Sequence, residues 1–159
     1  MFRRRFQIIG LFVLLCGGAR IAPADFCENV EAIVESAKEG FVGVRGELVS
    51  QHQDPLGNTR AIWQCTLALT GAQTCEVEWQ RQAFTYNTFW HKQSEEANSE
   101  AFQALTELLS GCGLTRKATS KSGRRLLFVL EDETNLDVTL ARNARRVRLS
   151  ITTSGFPNP

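Results

Sequence analysis

The chain has 159 residues, with 18 Lys and Arg against 17 Asp and Glu, 43% hydrophobic side chains and five cysteines. That length supports one modest core and no more, and the near-neutral balance is a poor basis for binding nucleic acid. No Gly-rich phosphate loop, G-x-S-x-G nucleophile elbow or C-x-x-C metal spacing occurs in it.

Residues 1–24 read as a secretory signal. Arg3, Arg4 and Arg5 form its positive start, residues 8–16 its apolar run, and Ala22-Pro23-Ala24 the small-residue cleavage site. Cleavage is predicted between Ala24 and Asp25, which places the protein in the periplasm or outside the cell. The apolar run falls short of the ~20 residues a membrane span needs, so no stable transmembrane segment is expected after cleavage. Arg3-Arg4-x-Phe6 resembles a twin-arginine signal, but the run after it is very apolar for that route. Cys16 is preceded by Leu15 where a lipoprotein signal carries a small residue. A retained anchor is the remaining alternative.

The 135 residues after that site carry 14 basic and 17 acidic side chains, a net charge of −3. Residues 25–112 have a net charge of −8 and residues 113–159 a net charge of +5. Interleaved halves would turn this asymmetry into cross-strand ion pairs, whereas separated halves would make the molecule electrically two-sided. Interleaving is the expectation.

Residues 25–41 predict an amphipathic helix. Phe26, Val30, Ile33, Val34, Ala37 and Phe41 lie on one face, Asp25 caps the first turn, and Gly40 and Gly43 stop it. Residues 44–51 give a strand, and 51–60 a polar loop expected to be loose. Residues 61–92 give three strands of alternating character. Trp63, Cys65, Leu67 and Leu69 share one face of the first, and Cys75, Val77 and Trp79 one face of the second. Phe84, Tyr86 and Trp90 share one face of the third, with Phe89 and His91 opposite. A three-residue loop of Leu69, Thr70 and Gly71 would continue the ladder through Ala68–Ala72 to Cys65–Cys75, using Gly71 where positive φ is needed. Directly opposed Cβ atoms lie about 4.5–5.5 Å apart, close enough for a disulfide after modest adjustment.

Residues 94–112 predict a second helix with Ser94 as N-cap and a buried stripe of Ala97, Ala101, Ala104, Leu105, Leu108 and Leu109, flanked by Phe102. Strands follow at 115–120, 124–131, 136–141 and 146–153, joined by turns at 121–123, 132–135 and 142–145. Residues 154–159 are expected as a flexible tail. The fold class is therefore α+β: residues 25–153 form one disulfide-stapled domain, two helices on a mainly antiparallel sheet in the order helix–meander–helix–meander.

The four cysteines beyond the signal, Cys27, Cys65, Cys75 and Cys112, read as two disulfides, and zinc is the rival that their scattered spacing disfavours. Two helices packed antiparallel on one sheet face would bring Cys27 to Cys112, leaving Cys65 to Cys75.

Chemistry is sparse. His52 and His91 have no activated nucleophile in sequence reach. Glu131, Asp132, Glu133 and Asp137 fail the EF-hand pattern and read as a solvated turn. Arg142, Arg145, Arg146 and Arg148, with Lys121, Arg124 and Arg125, read as solvated and internally paired, with an acidic partner protein or anionic envelope polymer as their other use. The surface proposed for contact comprises Phe84, Tyr86, Phe89, Trp90, Arg145, Arg146 and Arg148, because exposed aromatics and arginines anchor interfaces. No metal or other cofactor is expected. These features point to an exported, non-enzymatic protein that binds a protein partner through its sheet, in an inhibitor, immunity or assembly-accessory role. A small envelope hydrolase or envelope-polymer binder using His91 with Glu78 or Asp54 is the alternative.

Overall fold

The computed structural model describes residues 23–130 and 136–156. Residues 1–22 of the expected export signal, residues 131–135 with the turn expected at 132–135, and the last three residues lie outside the described residues.

The first helix, α1, spans Pro23–Ala37, so Asp25 sits inside its first turn rather than capping it. Proline suits that opening position because its missing N–H has no helical acceptor. Phe26, Val30, Ile33, Val34 and Ala37 are buried along one stripe, as their spacing requires. The helix stops four residues short of expectation, at Ala37. Gly40 (φ 65°) and Phe41 (φ 63°) reverse the chain there, and the Phe41 N–H donates to the Ser36 carbonyl at 2.7 Å. A Cβ on Gly40 would lie 2.8 Å from the Phe84 ring, so glycine is needed for space as well as for φ. Phe41 drops into the core 6.1 Å from the ring of Tyr86. One 3₁₀ turn, Val42–Val44, leads into the sheet.

The strands are β1 (Arg45–Gln53), β2 (Thr59–Cys65), β3 (Thr74–Gln80) and β4 (Ala83–His91), then β5 (Thr115–Thr119), β6 (Arg125–Val129), β7 (Leu136–Arg142) and β8 (Arg146–Ser154), with α2 (Glu95–Gly111) between β4 and β5. They form one eight-stranded sheet in the order β1-β2-β3-β4-β8-β7-β6-β5, and every neighbouring pair is antiparallel. The order is palindromic about the β4–β8 seam, whose register runs from Ala83↔Ser154 to His91↔Arg146 and centres on Asn87↔Ser150. The α+β class is thus what the structure shows. The finer helix–meander–helix–meander description does not fit. One helix lies early and one in mid-chain, both serve the same sheet, and β4 and β8 hydrogen-bond along their whole length, so all eight strands make one continuous sheet.

Both helices cover one face. The side chains of Phe84, Tyr86 and Trp90 on β4, Val138 and Leu140 on β7, and Val147, Leu149 and Ile151 on β8 form one core with α1 and α2. The stripe of α2 is rotated from expectation: Asn98, Phe102, Leu105 and Leu109 are buried, while Ala104 is exposed. Ser94 does cap this helix, accepting from the Ala97 N–H at 3.1 Å. Cys112 closes its other end and is disulfide-bonded to Cys27 in α1, with Cα atoms 5.1 Å apart.

Cys65 and Cys75 are also bonded, Cα atoms 5.6 Å apart, on the register set by Trp63↔Val77 and Gln64↔Glu76. The expected three-residue hairpin loop is nevertheless corrected. Residues 66–73 leave the ladder and fold over β4 around a turn in which the Ala72 N–H donates to the Leu69 carbonyl and Gly71 has φ 77°. Leu69 is buried, the Tyr86 hydroxyl donates to the Leu67 carbonyl at 2.9 Å, and the Trp90 indole to the Thr70 carbonyl at 3.4 Å. Core filling and two aromatic donors replace the ladder bonds that a tight hairpin would have made.

Three further expectations change. The loop after β1 shrinks to residues 54–58. Its Asp54 carboxylate accepts from the N–H groups of Leu56 and Asn58 and from the Asn58 amide, which holds its pKa below the usual carboxylate value. The tail is anchored through residue 156: the Gly155 N–H donates to the Gln82 carbonyl and the Phe156 ring packs 5.6 Å from Phe84. Finally, the charge halves do not interleave. The first four strands and the last four occupy opposite sides of the β4–β8 seam.

Candidate functional site: the helix-free face of the sheet

Strand alternation divides β4 between two environments. Phe84, Tyr86, Thr88 and Trp90 point to the helices, so Thr85, Asn87, Phe89 and His91 point the other way. Across the seam they face Thr152, Ser150, Arg148 and Arg146. On the β3 side Thr85 and Asn87 meet Glu78 and Glu76. The middle of this face is a polar strip: the Ser150 hydroxyl donates to the Asn87 side-chain carbonyl at 2.7 Å, and the Thr85 and Thr152 hydroxyls are 3.2 Å apart.

One end of the face is basic. Arg146 stands 5.0 Å over the Phe89 ring, and the His91 ring stacks on Phe89 with centroids 6.4 Å apart. These two covers explain why Phe89 is only 8% exposed although no helix lies above it. On the helix side of the same strand end, Arg142, paired with Val147, lies 5.8 Å from the Phe102 ring. A cleft of about 430 Å³ is lined by His91, Asn143, Ala144, Arg145 and Arg146, and a neighbouring one of about 170 Å³ by Ala141, Arg142, Asn143, Arg146 and Arg148.

The turn that carries these arginines is held from three directions. The Asn143 side-chain oxygen accepts from the N–H groups of Arg145 and Arg146 at 2.9 and 3.0 Å. The buried Asn98 amide donates to the Asn143 carbonyl at 3.1 Å, and the Lys92 N–H to the Arg145 carbonyl at 3.2 Å. Among the described residues no carboxylate lies within ion-pair distance of Arg142, Arg145, Arg146 or Arg148. The expected internal pairing of this cluster is corrected: of its seven basic residues, Arg124 alone has a described ion pair, a 3.5 Å contact with Glu95.

The β3 side is acidic. Arg60 on β2 bonds Glu78 at 2.6 Å, which raises the guanidinium pKa. Glu76 has no such contact. Burial, and then the charge of Glu78, push its pKa up, while Arg60, Arg146 and Arg148 pull it back.

Of the seven residues expected as a contact surface, the structure gathers Phe89, Arg145, Arg146 and Arg148 at this end. Phe84, Tyr86 and Trp90 are a correction: at 5%, 0% and 3% exposure they belong to the core, because their strand parity points them at the helices. Asn98 and Asn143, which position the basic turn, were missed. A polar residue at i, with Phe102, Leu105 and Leu109 at i+4, i+7 and i+11, was the available signal for Asn98. The pairing of His91 with Glu78 is not formed, since Glu78 lies opposite Thr85, six residues or about 20 Å along the strand. Asp54 lies in the loop beyond Gln53, at the other end of the sheet, bonded to Asn58. No group of three or more His, Cys, Asp and Glu that could hold a metal occurs among the described residues; Glu131, Asp132 and Glu133 lie outside them.

No protein family, curated protein or solved structure matches the chain.

Proposed function

We propose that this is an exported, non-enzymatic protein that binds a partner protein through the helix-free face of its sheet, as an inhibitor, immunity protein or assembly accessory does. One observation carries the reading: that face presents a fixed cluster of arginines with no described carboxylate partner beside a polar strip and two glutamates. Such a dipolar surface complements another protein of mixed charge. Two disulfides, and the lack of any described helix long and apolar enough to cross a membrane, are compatible with a periplasmic or extracellular location. The export signal at residues 1–24 is part of the proposal.

The test places a photo-crosslinking side chain at Thr139 or Thr152 on the helix-free face and, separately, at Glu100 on α2, in cells that export the protein. Stoichiometric adducts from the two sheet positions and none from α2 are expected. Adducts from α2 alone, or none at all across a range of salt concentrations, would overturn the reading.

A further inference from the structure

The arginines at the β7–β8 end of the sheet, Arg145 and Arg146 exposed and Arg142 and Arg148 half-buried, are concentrated in a way that solvation alone does not require. Four of the seven residues 142–148 are arginine, and in the structure they converge on two adjoining clefts that share Asn143 and Arg146. Like charges held this close repel one another, and a flexible turn would let them spread. This turn is fixed by Asn98, by the Asn143 side chain and by Lys92. The Arg146 guanidinium is also parked over the Phe89 ring. Stacking on a ring leaves the in-plane N–H groups free to grip an oxyanion in bidentate fashion. The arrangement is therefore an anion receptor whose ordering cost is met during folding rather than on binding.

The surroundings restrict the anion. The β3 strand, with Glu76 and Glu78, is two strands from β8, about 10 Å away. A uniformly anionic polymer laid across the face would meet those carboxylates. The exposed large apolar side chains, Val42, Leu48, Val49 and Leu56, lie on β1 and its flanks, at the far edge of the sheet, so nothing beside the clefts is suited to enter a bilayer. What fits is a ligand that is acidic at one side only.

We propose that these clefts receive an acidic segment of a partner protein, with its carboxylates gripped by Arg145, Arg146 and Arg148 beside His91. This rests on the partner-binding reading above and names the chemistry that the partner brings.

The probe is a synthetic peptide with four consecutive glutamates, titrated into the ¹⁵N-labelled, disulfide-bonded protein at low salt. Shifts confined to residues 91 and 143–148 are expected. The Kd should weaken at least tenfold in R146Q/R148Q and less than twofold in R116Q/K117Q, a control that removes two charges from the edge strand β5. Equal weakening in both variants, dispersed shifts, or no shifts would overturn the proposal. So would binding of a sulfated oligosaccharide or of anionic-lipid vesicles that is tighter than the peptide and lost in R146Q/R148Q, since the clefts would then serve a polyanion or a membrane. Arg146, Arg116 and Lys117 are exposed and Arg148 is half-buried, and retention of the native amide spectrum confirms that both variants fold. The crosslinks from Thr139 and Thr152 separate the two ideas. If they persist unchanged in R146Q/R148Q, the acidic-segment proposal falls and the partner-binding reading stands. If they are absent from the unaltered protein while the peptide binds as described, the reading of the whole face as the contact surface falls and the clefts alone remain as the site for an acidic segment.

Discussion

Breaking the Cys27–Cys112 disulfide should cost more stability than breaking Cys65–Cys75, although both staple the same domain. The first closes 85 residues and the second 10. The chain-entropy relation gives about 4–5 kcal/mol for the long loop and about 2–3 kcal/mol for the short one. An unfolding entropy of roughly 2.1 cal/mol/K per residue over some 135 residues is about 0.28 kcal/mol/K, so the expected losses in Tm are about 16 °C and about 10 °C. The location of each bond points the same way. Cys27–Cys112 ties the first turn of α1 to the end of α2, two elements otherwise joined only through packing, whereas Cys65–Cys75 duplicates a register that the β2–β3 ladder already sets. The assay is calorimetry on the double variants C27A/C112A and C65A/C75A, which leave no unpaired thiol. The half-buried environment of all four cysteines makes the packing losses comparable. An equal or larger loss in C65A/C75A would refute the loop-length reasoning.

Two further outcomes follow from buried or crowded titratable groups. Tyr86 is the single tyrosine, and burial pushes its phenol up to about 12. Absorbance at 295 nm should therefore titrate near that value in the native protein and near 10 in denaturant, and stability should fall as pH rises from about 10 toward 12, because the unfolded chain loses this proton first; a native midpoint near 10 would contradict the burial. The pKa of Glu76 is raised by burial and by Glu78, so its ionised form opposes folding. Glu76→Gln should leave Cm in urea unchanged well below the usual glutamate pKa and raise it at neutral pH, by a modest amount because the side chain is partly solvated; a variant less stable than its parent at pH 7 would show that the carboxylate makes a favourable contact instead.

Much of the architecture is local information. Alternation fixed which side of β4 each aromatic takes, since the period of a strand is two whatever surrounds it. The Ser94 cap and the register that opposes Cys65 to Cys75 likewise need only near neighbours in the chain. Pairing Cys27 with Cys112 needed one tertiary assumption, that the helices share a sheet face, and the structure supplies it.

What the sequence could not decide is everything that depends on which strand lies beside which. The β4–β8 seam joins residues some 60 positions apart, and no local pattern encodes it. That seam keeps the acidic and basic halves on opposite sides instead of interleaving them, leaves the helix-free face polar at its centre, and sets Arg146 over Phe89. Burial of Phe84, Tyr86 and Trp90, against their expected use as a contact surface, follows from which face received the helices, a choice made by the summed apolar area of α1, α2 and all eight strands. The basic turn owes its rigidity to Asn98, 45 residues away, whose amide reaches the Asn143 carbonyl. A lone asparagine in a helix states no partner. Only the packed chain, which must satisfy each polar group it buries, brings one to it.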